Sequence, residues 1–111
     1  MIDKTAIRDK VVRRFLAEKM DIIVSKFNSE KLTLFGSHAW GTPTDESDID
    51  LIIVSDVFNG QKFTGRMAQF LKEVWFSEHI DAICYTPEEF DRKKRENDTV
   101  NKAAKNGISI I

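Results

Sequence analysis

Two apolar strand-like runs, Lys31 to Phe35 and Ile49 to Val54, bracket a Gly36-Ser37 turn and, after ten intervening residues, the acidic triplet Asp48-Ile49-Asp50. The second run is nearly all branched and apolar, the pattern of a strand buried on both faces. A chain carrying it must build a sheet with that strand inside. At the mouth of the strand, the two-residue period sends Asp48 and Asp50 out on one face. Two like charges side by side cost stability unless a cation or a basic partner compensates.

The rest of the chain supplies covers for such a sheet. From Asp3 to Phe27, apolar residues recur at three- and four-residue steps, predicting an amphipathic helix. Asn59-Gly60 breaks the chain after the second strand. Phe63, Met67, Phe70, Leu71, Val74 and Trp75 then predict a helix over 61–76. His79 to Tyr85 is strand-like, with Asp81, Ile83 and Tyr85 on one face and Ile80, Ala82 and Cys84 on the other. Thr86-Pro87-Glu88-Glu89 opens a further helix with a capping hydroxyl, a first-turn proline and a glutamate three residues after the cap. Asn97-Asp98 breaks it, and a last helix runs to Lys105 before Asn106-Gly107. The terminal Ile108-Ser109-Ile110-Ile111 reads as a tail on the core or a short edge strand. The expected fold is α/β (α+β): a small mixed sheet of three to four strands, helices largely on one side, and the acidic site at the sheet's edge.

Length and charge narrow the function. With 111 residues the chain is expected to form one domain, 1–111. Seventeen basic and eighteen acidic side chains leave a net charge of −1, so no broad cationic field favours strong nucleic-acid binding. No apolar stretch approaches bilayer length and Met1-Ile2-Asp3-Lys4 lacks a signal-peptide core, so no membrane association is expected and a cytoplasmic location is. Cys84 is the single cysteine, which excludes an internal disulfide and a cysteine-built zinc site; it reads as a small core residue.

The chemistry gathers around the glycine and the aspartates. Gly36 lets backbone amides approach an anion closely, and Ser37 opens a helical turn, ended by Gly41 and Pro43, whose amides and hydroxyl can bind phosphate oxygens. A Gly-Ser pair alone is an ordinary turn. Beside Asp48 and Asp50 the competing structural reading is a capping pair, with Asp50 matched to a lysine. Asp81, early in the next strand-like segment, shifts the balance, since pairing those strands gathers three carboxylates. Oxygen-only sets of this kind suit magnesium or manganese, and paired histidines or cysteines for zinc are absent. His38 reads as a solvated loop residue with a phosphate contact as the lesser reading. His79 reads as structural, and Arg92-Lys93-Lys94-Arg95 as a solvated helix face.

The Gly36-Ser37-x10-Asp48-x-Asp50 pattern, with Ala39 and Gly41 inside it, the Ser47-Asp48-Ile49-Asp50-Leu51 string and a later strand aspartate, resembles the minimal nucleotidyltransferases of the DNA polymerase beta superfamily. The resemblance spans nearly the whole chain. It implies a palm-like fold in which Gly36 and Ser37 hold nucleotide phosphates. Asp48, Asp50 and Asp81 would be the catalytic residues and metal ligands for two Mg2+ or Mn2+ ions, with Asp81 also meeting the attacking hydroxyl. Two such ions lower the pKa of an acceptor hydroxyl and stabilise a leaving pyrophosphate. Trp40 departs from the pattern, standing where many relatives carry an arginine; a tryptophan there stacks on a base or packs inward.

The resulting expectation is an enzyme that moves AMP from ATP to a hydroxyl. A chain of this length leaves little room for an acceptor domain, so a partner is expected to supply the missing wall. The resemblance implies a small helical HEPN toxin as that partner, adenylylated on a tyrosine, with this chain as antitoxin. The rival readings are a non-catalytic antitoxin or regulator of the same fold acting by complex formation, and a small-molecule modifying enzyme. A homo-oligomer is left open.

Overall fold

The computed structural model describes residues 9–40, 43–44 and 47–111. Within them the elements run α1 (Lys10–Phe27), β1 (Lys31–Phe35), α2 (Ser37–Trp40), β2 (Ile49–Val54), a 3-10 turn (Asp56–Phe58), α3 (Phe63–Glu73), β3 (Ile80–Tyr85), α4 (Pro87–Glu96), α5 (Asp98–Asn106) and β4 (Ile108–Ser109). Among these residues no helix is long and apolar enough to cross a membrane. The roles expected for Gly41 and for the Trp40 side chain, and the helical start at Asp3, fall outside the described residues.

The four strands form one mixed sheet in the order β3-β2-β1-β4. β1 runs antiparallel to both β2 and β4, whereas β2 and β3 are parallel, with Asp50 opposite Asp81. The terminal residues therefore add an edge strand, and Ile110 beyond it is buried. β2 is interior, as its apolar run predicts.

Helices cover both faces of the sheet rather than largely one. Leu32, Leu34, Ile49, Leu51, Ile53, Ala82 and Cys84 face α1 and α3, meeting Phe15, Phe27 and Phe70. Ile52, Val54 and Tyr85 face the other way, onto Phe90 of α4 and Val100 and Ala103 of α5. A central strand apolar at successive positions needs a cover on each side, and the sparse apolar stripe of two otherwise charged helices suffices for the second. Truncating a fully buried ring such as Phe15 or Phe70 costs about 3–5 kcal/mol.

Element ends differ from the sequence pattern where local chemistry intervenes. Asp9 ends the helical periodicity by capping α1, its carboxylate accepting from the amides of Val11 (2.9 Å) and Val12 (3.1 Å). α3 stops at Glu73, which frees Phe76 to lie edge-on against Phe15 at 5.2 Å. Phe63, Met67 and Trp75, which belong to the apolar spacing of that segment, are exposed rather than core. Gly107 closes α5 without a left-handed backbone; a Cβ there would lie 2.5 Å from the Ala103 carbonyl oxygen and 2.8 Å from that of Leu34, so it is close approach that requires glycine.

Candidate active site

The turn after β1 is shaped by contact with an acid. Gly36 has φ +76°, and a Cβ there would fall 2.2 Å from Asp50 Oδ2. Only glycine permits both the backbone conformation and the close seat of that carboxylate. Ser37 then begins α2, and the Ala39 amide donates to the Gly36 carbonyl at 3.0 Å.

Asp50 and Asp81 stand opposite one another on β2 and β3, parallel strands about 4.8 Å apart. The pair begins where the Ile49 amide donates to the His79 carbonyl (2.9 Å). Asp48 lies two residues ahead of Asp50 at the strand entry. Asp48 and Asp81 are exposed and Asp50 is half-buried. Burial pushes the Asp50 carboxyl above its ordinary range, and the negative charges of Asp81 and Asp48 push it further, with His38 opposing. The structure thus brings the three aspartates into one electrostatic field. Among the described residues none of them has an ion-pair partner, so the lysine match for Asp50 is not made. Ser47 does close the loop ahead of them, its hydroxyl accepting from the Thr44 amide at 2.9 Å.

Among the described residues no three acid, histidine or cysteine groups converge on one point at ligand spacing. The donor set is all oxygen, at and just before the starts of two strands, with its central member destabilised in the charged form by burial and by the other two. That chemistry fits a hard divalent cation, whose charge would relieve the repulsion.

His38 differs from the solvated loop residue expected. It is 9% exposed, with Nδ1 2.6 Å from Asp9 Oδ2 and Nε2 3.2 Å from the Ser47 carbonyl oxygen. Both ring nitrogens are thus engaged, one by the Asp9 carboxylate and one by the Ser47 carbonyl. The ring ties the start of α1 to the residue before Asp48. Burial works to raise the Asp9 carboxyl, but the His38 hydrogen bond and the helix amides outweigh it and hold it below its ordinary value. Neither Asp9 nor the burial of His38 was foreseen; the one available signal was an aspartate followed by a helical apolar pattern.

The remaining candidates take bland places. The Cys84 thiol is buried, and burial pushes its pKa up to about 12 against the opposing charge of Arg66. His79 is exposed and contributes its backbone carbonyl. On α4, Lys94 and Arg95 pair with Asp91 on the helix surface.

Residues 16–106 match the family model described as "Nucleotidyltransferase domain". The chain belongs to that family, whose members generally use divalent metals. Two proteins of Methanocaldococcus jannaschii are similar to it. "Putative protein adenylyltransferase MJ1379" is 30% identical over 62% of this chain and 65% of its own length. "Putative protein adenylyltransferase MJ0604" is 41% identical over 44% of this chain and 47% of its own length. The chain thus matches less than two thirds of either relative. A crystal structure titled as that of a "putative nucleotidyltransferase" from Sulfolobus solfataricus superimposes with a TM-score of 0.57 at 28% identity, covering 82% of each chain.

Proposed function

We propose that this protein is a Mg2+- or Mn2+-dependent nucleotidyltransferase that moves AMP from ATP onto a hydroxyl of a protein partner. The observation that carries this is the placement of Asp50 opposite Asp81, with Asp48 alongside, next to a glycine turn that only Gly36 can form. Asp48, Asp50 and Asp81 would hold the divalent metal, which supplies charge neutralisation at the phosphates and acidifies the acceptor hydroxyl. The Ser37 hydroxyl and the free amides opening α2 would bind phosphate oxygens. Asp81, exposed at the end of an edge strand, meets an incoming acceptor. The acceptor oxygen bonds to the α-phosphorus, the bond from that phosphorus to the pyrophosphate oxygen breaks, and the hydroxyl proton passes to the Asp81 carboxylate.

For the partner we propose a small helical HEPN protein modified on a tyrosine, with this chain acting as its antitoxin. The family resemblance and the names of the archaeal relatives support protein adenylylation; the HEPN pairing rests on the resemblance alone. Incubating the two proteins with labelled ATP and Mg2+ is expected to place label on the partner's tyrosine, and Asp48→Asn or Asp50→Asn to abolish it. An unlabelled partner overturns this assignment. Neutralisation of the partner by the Asn variants at full strength would instead establish action by complex formation.

A further inference from the structure

A groove of about 300 Å3 opens between the start of α3 and the edge strand β3, lined by Phe63, Thr64, Met67, Asp81 and Ile83 among others. It is mostly apolar, and one of the three site carboxylates forms part of its wall. A volume at the low end of ligand sites, about 300–1,000 Å3, suits one side chain rather than a whole nucleotide.

Two exposed apolar groups border it one helical turn apart, Phe63 (51% exposed) and Met67 (41%). Phe63 is nonetheless held in place. Its ring stacks on Tyr85 at 5.7 Å, and the Arg66 guanidinium lies 5.5 Å from its centroid. Arg66 is itself fixed, donating to Glu89 and to the carbonyls of Gln61 and Cys84. An exposed aromatic ring braced in this way presents a preformed apolar face. On the strand side Ala82, Ile83 and Cys84 line the groove next to Asp81, so its apolar floor leads directly to the carboxylate. Among the described residues the other exposed aromatic, Trp75, lies beyond the far end of α3 and has no such continuity.

We propose that this groove is the acceptor subsite of the transferase, seating an aromatic hydroxyl with its ring against Phe63 and Met67 and its oxygen at Asp81. The inference rests on the transferase reading above and adds to it the residues that choose the acceptor. Flat apolar walls and a polarisable thioether favour an aromatic ring, and a single carboxylate at the mouth favours one that ends in a hydroxyl.

The test uses the full chain with 13C-methyl methionine, of which there are three, and N-acetyltyrosinamide as probe. A saturable shift of the Met67 methyl is expected. N-acetylphenylalaninamide should bind roughly three- to tenfold more weakly, a difference that Asp81→Ala removes. Met67→Lys, a surface change, should weaken the probe and leave ATP affinity unchanged. No saturable shift at Met67 up to the probe's solubility overturns the subsite. With ATP and Mn2+ added, mass spectrometry separates this failure from that of the transferase reading. AMP-tyrosinamide formed equally by wild type and Met67→Lys overturns the subsite alone. A Met67 shift without any adenylylated product overturns the transfer and leaves the aromatic site standing.

Discussion

The two ends of the parallel β2–β3 pair follow opposite electrostatic rules. At the far end the buried charge is matched: Arg66 is 5% exposed and meets Glu89 at 2.5 Å, and Glu89 also completes the capping box with Thr86. The buried Ser55 hydroxyl there donates to the Phe27 carbonyl. At the near end Asp48, Asp50 and Asp81 share one field with no cationic side chain paired to them among the described residues. Hydrogen bonding to Arg66 holds the Glu89 carboxyl below its ordinary range, whereas burial and like charge hold Asp50 above its own. Matched charge fastens the fold, and unmatched charge gathered at one place marks a candidate site.

Asp50→Asn breaks the comparison most sharply. Transfer should fall by about 100- to 1,000-fold or more, since a ligand for the divalent charge is lost. Folding stability should rise, by a few tenths to about 1 kcal/mol, because the repulsion relieved is partly screened by solvent. Parallel rate and urea-unfolding measurements check both signs; a variant that is inactive and less stable would show that Asp50 is fastened by contacts like those at the other end.

Arg66→Ala should act in the opposite sense. It strands Glu89 and the Gln61 and Cys84 carbonyls, at a cost of about 3 kcal/mol in urea unfolding, the lower end for a buried pair because the Glu89 side chain is 28% exposed. His38→Ala should lie between the two in character. Leaving the Asp9 carboxylate and the Ser47 carbonyl short of a donor costs about 1–3 kcal/mol. Slackening the strand entry at Asp48 should slow transfer on the order of tenfold to a hundredfold. Thermal melts and initial rates on one preparation separate these effects.

How far each end was legible in the sequence follows from the range of its contacts. The positions of Gly36, Asp48 and Asp50 at a turn and a strand entry were legible because strand period and turn chemistry are local, and that of Asp81 because its strand alternates cleanly. The matched end was not: Arg66 meets Glu89 across 23 residues, and inside α3 it reads as one more exposed helical base. His38 likewise finds Asp9 across 29 residues. Asp9 itself was hidden inside an apolar periodicity running on both sides of it. The second helical layer escaped notice because Phe90, Val100 and Ala103 are few among many charges, and only the two-faced burial of β2 calls for them.

Acid titration offers the finest test of the contrast. Glu89, held low mainly by its hydrogen bond to Arg66, binds its proton less readily folded than unfolded, so its contribution is present above the unfolded value of 4.5 and fades as pH falls through the lower folded value. Asp9 behaves alike from 3.8 downward: burial acting alone would raise it, but His38 and the helix amides prevail. Asp50 has the reverse sign. Its folded value lies above 3.8, so it takes up a proton in the folded state first, and acidification through that window relieves the near end. Urea unfolding from neutral pH down to about pH 3 should therefore fall less steeply in Glu89→Gln than in wild type, and more steeply in Asp50→Asn. Equal slopes in the two variants would mean that the opposed ends titrate as one surface, and that the unmatched charge at the aspartates is shared rather than local.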